Sequence, residues 1–114
     1  CMVKIMKIKI HNDVWKVKLV DANAKKMNPG PNSYNLGLTE YKELLISIMD
    51  RRSESVTRST LIHELVHAFM FSYGHTVEGE EAMCDFFGVH ADEIIDLTNQ
   101  IMGRWGDRCL QSKK

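Results

Sequence analysis

His63, Glu64 and His67 are the residues whose types and spacing could do chemistry. They sit within Thr60-Leu61-Ile62-His63-Glu64-Leu65-Val66-His67-Ala68. On an α-helix, positions i and i+4 differ by about 40° around the axis, so the two imidazoles point the same way, one turn apart. Such a pair can reach one Zn²⁺ at about 2.0–2.1 Å each. Glu64 lies about 100° round from His63, too far round to be a ligand but well placed to touch a water on the metal. A carboxylate there takes the water's proton as it attacks a carbonyl and passes a proton to the leaving amine. The competing explanation is a core helix that buries both imidazoles against backbone carbonyls. Against it, Leu61, Leu65, Ala68 and Phe69 already supply an apolar face for the core, and HExxH on a helix has a recognised metal-hydrolase mechanism.

Catalytic zinc usually has three protein ligands and a water. A third histidine six residues after His67 is absent, because Tyr73 stands there, and Met70 occupies the place of the glycine expected with it. The remaining candidates are Glu78, Glu80 and Glu81, with His75 as an outsider. Glu81 is preferred because Asp85 follows it by four residues on the same helix face. Asp85 can accept a hydrogen bond from the far nitrogen of a ligand histidine and fix its tautomer. Four residues after Glu80 is Cys84, and after Glu78 is Ala82, so neither has such a partner. The plainer role of all three acids is to place negative charge at a helix N-terminus.

The elements that must position these residues can be read from periodicity. Residues 3–10 alternate apolar and basic, and residues 14–20 alternate again after the turn His11-Asn12-Asp13, which predicts a β-hairpin. Residues 21–33 hold both prolines and read as a loop, with a helical turn around 22–27. Residues 34–38 and 43–49 read as two more strands joined by residues 39–42. Ser53 and Ser55 are candidate N-caps for a helix over 56–72, with Gly74 suited to a left-handed C-terminal cap. A second helix starts near Glu78 or Glu80. Its apolar stripe is Ala82, Phe86, Val89, Ile94, Leu97 and Ile101, and Gly103 and Gly106 close it. The result is one α+β domain over residues 1–114, with about four strands followed by two helices.

Composition narrows the function classes. Lys plus Arg and Asp plus Glu are 15 each, so the formal net charge is zero, which argues against a dedicated nucleic-acid binder. Lys4, Lys7, Lys9, Lys16 and Lys18 read as solvated residues on the open face of strands. No apolar run is long enough to span a bilayer, and residues 1–10 alternate rather than form a signal-peptide core. Cys1, Cys84 and Cys109 make an odd set without a CxxC pair, which points to a reducing, cytoplasmic setting; Cys84 reads as a small core residue. His11 and His90 read as structural or surface residues.

The runs TLIHELVHAFMFSYG and EEAMCDFFGVHADEI resemble the small zincin-like metallopeptidases of phage and prophage origin, related to the ImmA/IrrE group. More broadly they are similar to gluzincins, which pair HExxH with a downstream Glu followed four residues later by Asp. LGLTEYKELLISI is similar to the hairpin that precedes the active helix in such proteins. The resemblance covers roughly residues 34–100. It implies a minimal zincin-like domain, a small and mostly antiparallel sheet packed on an HExxH helix and a second C-terminal helix. It implies Zn²⁺ held by His63, His67 and Glu81, Glu64 as general base, and Asp85 behind a ligand. The implied activity is zinc-dependent hydrolysis of peptide bonds in a protein or peptide, a regulatory protein among the candidates. Residues 43–49 would be the edge strand that receives substrate backbone. The chain lacks the C-terminal domain of large gluzincins, so their oxyanion donor has no assured counterpart; Tyr73 and His75 are nearby candidates, Tyr73 reading first as a helix-end packing residue. The alternative is a zinc-binding module of the same fold that binds a protein partner with little catalysis.

Overall fold

The computed structural model describes residues 5–106. Cys1, Lys4 and Cys109, named above, lie outside them. Strand β1 (Ile5–Ile10) and strand β2 (Asp13–Val20) form the expected antiparallel hairpin, with Lys7 opposite Lys16 and Ile8 opposite Trp15. The alternation sorts the faces as the sequence demands. Ile8, Ile10, Trp15, Val17 and Leu19 are buried, whereas Lys7, Lys9 and Lys16 are exposed and Lys18 is half-buried.

After β2 the chain runs through a loop holding a short 3₁₀ turn (Lys25–Met27) and reaches strands β3 (Gly37–Glu40) and β4 (Leu45–Met49). Met27 packs with Val20 and Met49 in a small satellite core beneath that loop. The sheet order is β1-β2-β4-β3. β4 pairs parallel with β2 and antiparallel with β3, so the sheet is mixed. This corrects one expectation. The run 43–49 is not an edge strand; β4 is interior and β3 is the edge. The sequence reason is visible in β4 itself, where Ile46, Ser47, Ile48 and Met49 are all buried, the signature of a strand covered on both faces. The strand expected at 34–38 lies later, so Thr39 and Glu40 belong to β3 and the turn is residues 41–44.

Helix α1 (Glu54–Tyr73) follows. Ser53 caps it, its hydroxyl accepting the Val56 N–H at 3.2 Å. Gly74 ends it with φ 72° and ψ 27°, a left-handed conformation in which a Cβ would be strained. Leu61, Leu65, Ala68 and Phe69 are buried against the sheet, as expected. The C-terminal end of α1 is tied to the hairpin by a short chain of hydrogen bonds. Trp15 Nε1 donates to Ser72 Oγ at 2.8 Å, and Ser72 Oγ donates to Asp13 Oδ2 at 2.7 Å.

Helix α2 (Glu80–Trp105) completes the core with Phe86, His90, Ile94, Thr98, Ile101, Met102 and Trp105. Gly103 lies inside it rather than ending it. Two expectations about its faces are corrected. His90, not its neighbour Val89, holds the buried position, because the stripe runs Phe86, His90, Ile94 at i, i+4, i+8; Val89 is 74% exposed. Cys84 is an exposed free thiol, since it shares the outer face four residues after the exposed Glu80. Among the described residues no helix is long and apolar enough to cross a membrane.

Candidate functional site

The geometry of α1 separates its three chemical residues. His63 and His67 are exposed, and Glu64 is buried. The two imidazole centroids are 4.9 Å apart with their planes at 72°. A zinc ion bound tetrahedrally to both rings at about 2.0–2.1 Å would set the centroids about 5 Å apart, so the separation of the two rings is compatible with one shared ion.

Glu64 turns toward edge strand β3. Thr39 Oγ1 donates to Glu64 Oε1 at 2.6 Å and stands 3.4 Å from the Glu64 carbonyl oxygen. Among the described residues no hydrogen bond engages Oε2. The strand can come this close because residue 37 is glycine. A Cβ there would lie 2.7 Å from Thr60 Cγ2, 2.8 Å from Glu64 Cγ and 3.0 Å from Glu64 Oε2. Between β3 and α1 lies an open hollow of about 590 Å³ whose wall includes His63, Glu64, Thr60, Gly37, Tyr34 and Asn35. On the far end of β3, Lys26 Nζ pairs with Glu40 Oε1 at 2.6 Å.

The other residues nominated from sequence are placed elsewhere. Glu81 is exposed at the first turn of α2. Among the described residues no three His, Cys, Asp or Glu side chains gather closely enough to hold a metal ion, so Glu81 does not close on the histidine pair. The nominated donors that lie side by side are two imidazoles, and among the described residues no third protein ligand joins them. Asp85, also exposed, lines a second hollow together with Tyr73, His75, Phe86 and His90. Tyr73 is packed among rings, with His11 and His90 each at a centroid distance of 4.5 Å and Phe69 at 5.9 Å. Nine residues along one helix put it about 13–14 Å from Glu64 along the axis. Neither Tyr73 nor His75 lines the hollow of Glu64, so the structure does not place them as oxyanion donors there; Tyr73 does the packing work of a helix end.

Two residues of the site, Thr39 and Gly37, are not among those nominated from sequence. Thr39 was assigned to a turn, and nothing in its type distinguishes it from other strand threonines. Gly37 carried a signal, because a glycine inside a strand pattern marks close approach of another chain segment. In comparisons with known proteins, no family, no curated protein and no solved structure matches this chain.

Proposed function

We propose that this chain is a zinc-dependent peptidase of zincin type, acting on an extended segment of a protein or peptide. The observation that carries the reading is the pairing of His63 and His67 at a separation suited to one shared ion, next to a buried Glu64 that faces an edge strand. His63 and His67 would hold the zinc. Glu81 is proposed to complete the set on the strength of its Asp85 partner in sequence, not of a contact. Zinc, when bound, supplies Lewis acidity toward a carbonyl and makes water a nucleophile near neutral pH.

The remaining work belongs to the chain's own groups. The side of β3 that no described strand pairs offers backbone N–H and C=O groups to an extended substrate, which pairs as an added strand. That places a peptide bond along the hollow beside Glu64. Thr39 holds Oε1, which leaves Oε2 to take a proton from the attacking water and return it to the leaving amine as the C–N bond breaks. The setting that goes with this reading is cytoplasmic, with which the free thiol of Cys84 accords.

The unsupplied third ligand favours a second reading, a zinc-binding module of this fold that acts by holding a partner. Glu64→Gln separates the two. The peptidase reading expects cleavage of an unstructured protein substrate to fall by at least about 10²-fold, the scale of one general base, with zinc content unchanged. Undiminished biological function of the variant would favour the module.

A further inference from the structure

The second hollow, about 480 Å³, lies between the end of α1 and the first half of α2. Its character differs from that of the hollow beside Glu64. Its floor and walls are rings: Tyr73 and His90 at 4.5 Å between centroids, Phe86 and His90 at 4.8 Å, His75 and His90 at 5.7 Å. Exposed Asp85 and Val89 stand at its rim. His90 is only 5% exposed, and its ring forms part of the wall of this hollow.

We propose that this hollow, which neither His63 nor His67 lines, is a binding site for an arginine side chain of a partner peptide, with Asp85 serving this hollow rather than a zinc ligand. The chemistry of its walls selects that group. Tyrosine, phenylalanine and imidazole faces stack on a planar guanidinium. Asp85 supplies a carboxylate to pair with it, and among the described residues no lysine or arginine lines the hollow to repel it. Burial, with the neighbouring His75, holds the His90 imidazole below its ordinary pKa against the opposing charge of Glu93, so at neutral pH its ring offers a lone pair to a guanidinium N–H. Lysine, with a compact and strongly hydrated ammonium, gains less from ring faces, and an uncharged aromatic side chain forms no ion pair with Asp85.

The test is a titration of the full chain with N-acetyl-arginine amide, followed by amide chemical shifts, with the lysine and tyrosine analogues run alongside. Expected are saturable shifts at Tyr73, His75, Phe86 and Val89, none at Thr39 or Glu64, and a weaker response to the lysine analogue. Asp85→Asn should weaken binding by about tenfold, the scale of one charge-assisted hydrogen bond. Val89→Arg should abolish it by placing a competing cation at the rim. Both positions are exposed, so neither change threatens the fold. Absence of shifts at the hollow, a tyrosine response equal to or above that of arginine, or binding indifferent to both substitutions would overturn the proposal.

Discussion

At the scale of single residues, the hydrogen bond from Thr39 to Glu64 decides how a buried carboxylate is aimed. Its loss leaves Oε1 without its donor on a side chain that is mostly buried. Thr39→Val should therefore cost about 1–2 kcal/mol in stability. It should slow cleavage by about tenfold, the rate equivalent of about 1.4 kcal/mol. Thr39→Ser, which keeps the hydroxyl, should restore most of both; a valine variant with wild-type melting and turnover would remove Thr39 from the site. His90 makes a separate prediction. Burial, reinforced by His75, depresses its pKa below the ordinary value in the folded chain. The unfolded chain then binds more protons as pH falls through about 6.5, so stability is fully present above that pH and declines below it. Melting temperature measured from pH 8 to pH 5 should drop in the wild type below about 6.5, and His90→Phe should flatten that slope. Parallel profiles would show that another group governs acid sensitivity. The chemical residues His63, Glu64 and His67 were legible because helix geometry alone fixes what i, i+1 and i+4 can do together. Thr39 was not, since its role arises from a contact across 25 positions of sequence.

Elements position these residues, and here legibility follows burial pattern. The hairpin β1-β2 and helix α1 declare themselves through alternation and through caps at Ser53 and Gly74. Strand β4 was visible as a strand but misplaced in the sheet. Its unbroken apolar run already indicated an interior position, and the parallel pairing with β2 puts it there. The consequence is functional, because the strand free to add a substrate is β3. The approach of β3 to α1 rests on Gly37, and Gly37→Ala should destabilise by about 1–3 kcal/mol through overpacking against Thr60 and Glu64. Denaturant midpoints would measure it; an unchanged midpoint would mean that β3 and α1 part without cost. At the N-terminus of α1, Ser53→Ala should cost about 1 kcal/mol by leaving the Val56 N–H uncapped, read in the same experiment. The face of α2 was partly misread, because an apolar count selects Val89 where the helical stripe selects His90.

The whole molecule is a four-stranded mixed sheet with two helices, an α+β arrangement whose order could be derived from the chain. What periodicity could not supply is convergence between α1 and α2, since each helix's phase is readable but their relative approach is set by packing. The described structure joins His63 with His67 and leaves Glu81 apart. The account therefore stands or falls on whether the chain holds zinc through that pair. Elemental analysis of the purified, folded protein, beside His63→Ala, His67→Ala and Glu64→Gln, measures this directly. The account predicts about one zinc per chain in the wild type and in Glu64→Gln, and loss of most of it in either alanine variant. A fully folded wild-type protein without zinc, or alanine variants that keep it, would contradict the account.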